Sequence, residues 1–136
     1  MKTLLLITLL LSEVLLAEVY TKADRIKDMQ EMARAMSYIE TGFFYNNIDL
    51  VQDGALSLSD AIRRVQPPLT ELQEKDPMTR YMNERVKFTN KISKKIDNKA
   101  KLIIERFREG DTSQAVQAYT KIMKQCMECH VQVRNW

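Results

Sequence analysis

The stretch Cys126-Met127-Glu128-Cys129-His130 contains both cysteines and the single histidine of this 136-residue sequence. On a helix, residues at positions i, i+3 and i+4 project from the same face. Cys126, Cys129 and His130 would therefore stand together on one side of a helix. Because the sequence uses these residue types so sparingly and places all of them together, we expect its chemistry at this one site.

The spacing of the stretch, C-x-x-C-H, is the attachment signature of a c-type haem. Two thiols are needed for thioether bonds to the two vinyl groups of the haem. The imidazole beside the second thiol then reaches the iron from the same side. Cys126 and Cys129 are therefore the predicted haem anchors, His130 is the predicted iron ligand, and the predicted cofactor is one covalently attached haem c.

Three other interpretations of the stretch are less favoured. A redox dithiol usually opens a helix after a strand, and this sequence has no convincing strand pattern. A structural zinc site needs four ligands, so a carboxylate would have to join Cys126, Cys129 and His130. A disulfide between the two cysteines would leave His130 without a role.

The first residues have the pattern of a secretory signal peptide. Lys2 supplies the positive charge, a mainly apolar run covers residues 4–11, and Ala17 offers a small residue before the expected cleavage. Glu13 interrupts the apolar character before it reaches the ~20 residues that a membrane-spanning helix needs. The pattern therefore favours a cleaved signal over an uncleaved anchor.

Composition favours one helical domain after the signal. The sequence has only three glycines and three prolines, 29% of its residues are charged, and its formal net charge is +3. Two haem propionates would lower this charge to about +1, which is too small to predict binding of nucleic acid or anionic membranes. We expect a signal peptide over 1–17, a single domain over 18–136 in the periplasm, and no stable membrane span after cleavage.

Four helices are predicted from apolar residues at three- and four-residue intervals. They cover about 19–45, 47–66, 78–109, and the segment from 111–113 to 134. Pro67 ends the second helix and Gly110 the third. Gly42 is expected to loosen the last turn of the first helix, and Gly54 makes the first half of the second a weaker helix prediction. Four amphipathic helices of this size predict an all-α fold, an antiparallel four-helix bundle with the haem on the C-terminal helix.

Each predicted helix has an apolar stripe that is expected to face the core. In the first helix the stripe comprises Ile26, Met29, Met32, Ala33, Met36, Ile39, Glu40 and Phe43. In the second it comprises Ile48, Val51, Ala55, Leu58, Ile62 and Val65. In the third it comprises Met82, Val86, Thr89, Ile92, Ile96, Ala100, Ile103 and Phe107, and in the fourth Val116, Tyr119, Met123, Cys126 and His130.

With these helices and a C-x-x-C-H stretch on the last of them, the chain resembles the cytochrome c-prime family, whose fold is a four-helix bundle. Ordinary cytochromes c carry the stretch near their N-terminus, so its position discriminates. The family's first helix often has an arginine followed four residues later by a methionine, as Arg25 and Met29 are here. The resemblance covers residues 25–134, and Val133 departs from it by standing where an aromatic residue is common.

The resemblance implies roles for three further residues. Arg25 would approach a haem propionate, Met29 would face the distal side of the iron, and Arg134 matches a basic residue four places after the motif histidine. In the low-spin members of the family a methionine binds the iron as sixth ligand, and this chain looks more like those members. In the high-spin members the distal position stays open.

The residues by themselves also point to methionine as sixth ligand. A second histidine is absent, and methionine with histidine is a common axial pair that raises the reduction potential. Met29, Met32 and Met36 all lie on the first predicted helix. Met32 is the alternative ligand to Met29, and a lysine is a remote third.

The expected function is that of a monohaem c-type cytochrome, which carries single electrons between redox partner proteins and is not an enzyme. The alternative is a five-coordinate protein that binds nitric oxide or carbon monoxide. Many family members pair through their first two helices, which leaves a homodimer open. A basic run on the third helix is interpreted as a solvated face, with docking of an acidic redox partner as its alternative; it comprises Lys91, Lys94, Lys95, Lys99 and Lys101.

Overall fold

A computed structural model describes residues 20–65 and 77–134 of the chain. Residues 1–19, which include the predicted signal peptide, the connection over 66–76 and residues 135–136 lie outside these ranges. The side chains of residues 77–86 and 133–134 also lie outside the description, so the predictions for Met82, Val86, Val133 and Arg134 are not addressed.

The described residues form four helices and no strand, which confirms the all-α prediction and fits a four-helix bundle. They are α1 (Lys22–Tyr45), α2 (Ile48–Arg64), α3 (Pro77–Arg108) and α4 (Thr112–Arg134). These bounds lie within three residues of the predicted ones wherever the predicted end is described. Among these helices, none combines the length and apolar character needed to cross a bilayer.

Two tight turns connect neighbouring helices. After α1, Asn46 takes the left-handed conformation with φ of 48°, and Asn47 caps α2 by accepting hydrogen bonds from two backbone N–H groups of its first turn. After α3, Gly110 has φ of 81°, and the Asp111 carboxylate accepts a hydrogen bond of 3.0 Å from the Gln114 N–H. The predicted stop at Gly110 is confirmed, because glycine adopts this conformation without steric cost.

Two glycines allow α1 and α2 to approach each other closely. A Cβ atom at Gly42 would lie 2.6 Å from Val51 Cγ2, and one at Gly54 would lie 2.8 Å from the Ala35 carbonyl oxygen. Both glycines are buried. The cost in helix propensity is therefore offset by close packing, which propensity alone does not reveal.

The core follows the packing order of the chain, with α1 against α2, α2 against α3, and α3 against α4. The predicted stripes of α2 and α3 are confirmed, since all their members with described side chains are buried except Ile48, which is half-buried against the core. Ala100 and Ile103 of α3, for example, are both fully buried.

The predicted stripes of α1 and α4 are wrong in part. The buried residues of α1 are Asp28, Met32, Ala35, Ile39 and Gly42, whereas Ile26 is 45% exposed. In α4 the buried residues are Ala115, Ala118 and Ile122, whereas Val116 and Met123 are about half exposed. Each of these helices has one face of small or apolar residues packed against its neighbour, and a second apolar face that does not make this contact.

An aromatic cluster joins three helices at one end of the bundle. The ring of Phe43 in α1 lies 5.5 Å from that of Phe107 in α3 and 5.7 Å from that of Tyr119 in α4, measured between centroids. Phe43 is thus part of the core as expected. Phe44 and Tyr45, at the end of α1, are 81% and 75% exposed.

Candidate functional site

A cavity of about 580 Å³ lies among the four helices and brings the two ends of the described chain together. Its lining from α1 comprises Ile26, Met29, Gln30, Met32, Ala33 and Met36. From α2 and the residue that follows it, the lining comprises Ile62 and Val65, and from α3 it comprises Thr89, Ile92, Ser93 and Ile96. From α4 it comprises Tyr119, Met123, Cys126, Met127, Cys129 and His130. The second apolar faces of α1 and α4 are therefore the walls of this cavity.

The size and lining of the cavity match a bulky apolar group. Ligand sites commonly measure ~300–1,000 Å³ and are lined mainly by apolar side chains with a few polar groups. Protein interiors are otherwise close-packed, and apolar space of this extent is destabilising unless a group occupies it. A porphyrin, which is broad and mainly apolar with charged propionates at its edge, fits such a site.

The motif lies on a regular helix. Residues 126–130 are all within α4, so the expected placement of Cys126, Cys129 and His130 on one helical face is confirmed. All three side chains line the cavity and are half-buried. Their chemical roles remain predictions, but the helix presents them to one space.

The environment of Cys126 bears on the alternative interpretations. Burial, together with the neighbouring Cys129, raises the pKa of the Cys126 thiol to about 11. A redox dithiol instead needs a thiol whose pKa is lowered by positive surroundings. Among the side chains that the structure describes, no group of three or more His, Cys, Asp and Glu residues is placed to hold a metal ion.

Three methionines of α1 line the opposite wall. Met32 is buried at 7% exposure and belongs to the core, whereas Met29 and Met36 are half-buried and pack against it. Because Met29 retains exposed surface and lines the cavity from one turn after Arg25, it remains the predicted sixth ligand, with Met32 as the alternative. Met36 lines the same cavity and was not singled out as a ligand by its position in the sequence.

Arg25 lies one turn before Met29 and is half-buried, although it is not part of the cavity lining. Its Nε atom is buried and has no hydrogen-bond acceptor among the described residues. A buried N–H group without an acceptor is costly, so this guanidinium is suited to an anionic group brought by a ligand. The predicted contact with a haem propionate fits that requirement and remains a prediction.

Tyr119 is a site residue that the sequence placed only in the core. It lines the cavity and also contacts Phe43, so the aromatic cluster closes one end of the site. Burial, with smaller contributions from Glu40 and Cys126, raises the pKa of its hydroxyl. The signal available in the sequence was its spacing of seven residues from Cys126, which places both on the same helical face.

The mouth of the cavity has exposed apolar side chains, which sequence reasoning missed. Met123 and Met127 of α4 are 50% and 54% exposed, and Ile26 of α1 is 45% exposed, yet all three line the cavity. Met127 lies inside the C-x-x-C-H stretch and Met123 one turn before it. Their proximity to the cysteines was the available signal.

Four of the five lysines in the basic run on α3 are exposed, as expected of a solvated face, and Lys99 is half-buried. Lys91, Lys94, Lys95 and Lys101 are exposed, and Lys101 forms an ion pair of 2.7 Å with Asp97. Exposed ion pairs of this kind contribute little to stability.

No family model, no curated protein and no solved structure matches this chain. The likeness to the cytochrome c-prime family therefore rests on the residues of the motif, on Arg25 and Met29, and on the helical fold.

Proposed function

We propose that this protein is a monohaem c-type cytochrome of the c-prime type, which carries single electrons between redox partner proteins. One observation carries the proposal. Met29 and the C-x-x-C-H residues are about 100 positions apart in the sequence, yet they line one apolar cavity large enough for a porphyrin.

In this proposal Cys126 and Cys129 would hold the haem through thioethers, and His130 and Met29 would bind its iron. The haem supplies a reversible one-electron centre, and a His/Met pair raises its reduction potential. The chain orients the group, excludes water with the apolar walls and offers Arg25 to a propionate. With the one histidine engaged by iron, no histidine remains as a general base, which agrees with a carrier rather than a hydrolytic enzyme.

An antiparallel bundle is part of the proposal. Arg64 in the last turn of α2 contacts Asp28 and Glu31 near the start of α1. Arg108 at the end of α3 donates a hydrogen bond of 2.7 Å to Gln52 near the start of α2. Pairings of late with early residues support neighbouring helices that run in opposite directions.

We further propose that the protein acts in the periplasm after removal of residues 1–17, because the leader has signal character and c-type haem is attached outside the cytoplasm in bacteria. Redox proteins are the proposed partners, a homodimer stays open, and the small net charge gives no basis for binding nucleic acid.

The test is an absorption spectrum of the oxidised and reduced protein, produced in a bacterium that attaches c-type haem. We expect a haem band that persists on a denaturing gel and a six-coordinate, low-spin oxidised spectrum. Colourless mature protein with two reactive thiols would contradict the proposal as a whole.

A gas-binding function is the second candidate, favoured by the exposed mouth of the cavity beside Met123 and Met127. If Met29 lies near the iron without binding it, a diatomic ligand would be able to reach the iron through this mouth. Rapid binding of carbon monoxide to the resting reduced protein, with a five-coordinate spectrum before addition, would support this candidate over electron transfer.

A further inference from the structure

Asp28, which has a buried carboxylate, is next in the sequence to Met29, the proposed sixth ligand of the iron. Asp28 precedes Met29, but its side chain is turned toward α2 and is only 5% exposed. It accepts a hydrogen bond of 2.9 Å from the Arg64 Nε atom and another of 2.9 Å from the Tyr20 hydroxyl. A second nitrogen of the Arg64 guanidinium lies 2.7 Å from the Glu31 carboxylate. We call Tyr20, Asp28, Glu31 and Arg64 the clasp.

The clasp connects α1 to α2 in a defined orientation. A guanidinium offers its donors in a fixed planar fork, so two carboxylates held by one arginine are held at a defined angle. Burial and the bond to Asp28 raise the pKa of the Tyr20 hydroxyl, which therefore remains a donor to that carboxylate over the physiological range. Asp28 is buried, so removal of its partner Arg64 would leave a buried negative charge without compensation, which destabilises the folded protein.

The location of the clasp gives it a consequence for the cavity. α1 packs on α2, and α4 packs on α3, while the cavity lies between the Met29 side of α1 and the Cys126 side of α4. At the far end of α1, Phe43 is fixed by ring contacts to α3 and α4. Near the start of α1, ion pairs from Arg64 to Asp28 and Glu31 join the helix to α2 through residues that do not line the cavity.

We infer that Arg64, acting through Asp28 and Glu31, is a positioning residue that sets the distance of Met29 from the iron bound by α4. The inference rests on the proposed haem function and on Met29 as sixth ligand. Without the clasp, the first turns of α1 would be able to shift relative to α2. The bond between Met29 and the iron would then be present in only part of the protein molecules.

The experiment compares Arg64→Gln with Arg63→Gln in the oxidised holoprotein. Arg63 is the matched control because it is adjacent, is similarly exposed, and pairs with Asp60 of its own helix and with Asp97 of α3 rather than with α1. We expect the ratio of low-spin to high-spin protein to fall by roughly tenfold in Arg64→Gln and to stay unchanged in Arg63→Gln. Arg64→Lys, which keeps one charge without the fork, is expected to restore part of the ratio.

A second measurement separates positioning from general loss of stability. Ile103→Val removes one methylene from a fully buried core residue outside the cavity lining, so it lowers the melting temperature without touching the clasp. We expect Ile103→Val to remain low-spin, and we expect faster amide hydrogen exchange over residues 22–32 in Arg64→Gln alone. Glu31→Gln removes one arm of the clasp and replaces Arg64→Gln if that variant does not fold.

The outcomes are distinguishable. If the unmodified protein is low-spin and Arg64→Gln matches Arg63→Gln in spin state, the positioning role is wrong and the proposed function stands. If Ile103→Val loses the low-spin state to the same degree, the effect is one of stability and the inference is overturned. If the unmodified protein is already five-coordinate, methionine ligation itself fails, and the inference fails with it.

Discussion

The pair α2 and α3 and the pair α1 and α4 use apolar residues in different ways. In α2 and α3 one stripe per helix is buried against neighbouring helices, and Leu58 and Ile96 are typical members. In α1 and α4 apolar residues cover a wider arc, because one face packs on a neighbour and another lines the cavity. A helix beside a large cavity therefore carries two apolar faces.

The difference explains which expectations failed. Periodicity identifies an apolar face but does not state what it contacts. For α2 and α3 the contact is another helix, so the predicted stripe is the buried stripe. For α1 and α4 the strongest periodic signal includes Met29, Met123 and Cys126, which face the cavity, whereas small residues such as Ala35 and Ala118 make the helix contacts.

The largest effect is expected from removing the two cysteines of α4 that are the proposed haem anchors. Replacing Cys126 and Cys129 together by serine should abolish covalent haem, because no thiol remains to form a thioether. Haem staining of a denaturing gel measures this directly. Met127→Leu is the matched control, since it alters an exposed residue inside the motif and should keep the stain.

Haem staining equal to that of the unmodified protein in the double serine variant would show that the group is held by other residues. The proposed reason for the second apolar face of α4 would then be wrong.

The next effect concerns the α1 wall. Met29→Ala should keep covalent haem but convert the oxidised protein from low-spin to high-spin, because the methionine sulfur proposed as sixth ligand is lost. Met36→Ala, which removes a methionine from the same wall two turns later, is the control and should stay low-spin. If Met29→Ala has an unchanged spectrum, Met32→Ala becomes the decisive variant.

A smaller effect is expected in the pair α2 and α3. Leu58→Ala should lower the free energy of unfolding by about 2–5 kcal/mol, because a fully buried side chain leaves a cavity in a close-packed core. Leu56→Ala, two residues away on the same helix but 47% exposed, should cost less than about 1 kcal/mol. Urea unfolding of the holoprotein measures both. Equal losses would contradict the assignment of the buried face of α2.

The smallest effect is expected at the turn into α4. Gly110→Ala should destabilise the protein by about 1 kcal/mol, because an alanine at φ of 81° is strained although nothing lies within 4 Å of the new Cβ. Gly110→Asn is the control, since asparagine tolerates this conformation better, and it should lose less. Thermal unfolding of the two variants gives the order, and a reversed order would argue against strain as the cause.

Much of the site was predictable because it is local in sequence. Cys126, Cys129 and His130 lie within two helical turns, so their shared face follows from helical geometry alone. Arg25 and Met29 are also one turn apart. The pairing of Asp28 with Arg64 was not predictable, because 36 residues separate them. Either residue, taken alone, would also be expected on a solvated helix face.

The sequence by itself determined four helices, the turn at Gly110, the single-stripe faces of α2 and α3, and the clustering of Cys126, Cys129 and His130, because each depends on residues within a few positions of one another. Only the tertiary structure decided that Met29 shares a cavity with that cluster, that Gly42 and Gly54 allow close helix contact, and that Asp28 turns away from Met29 toward Arg64. These features depend on which helices become neighbours, and that choice is made by the summed packing of the whole bundle rather than by any local pattern.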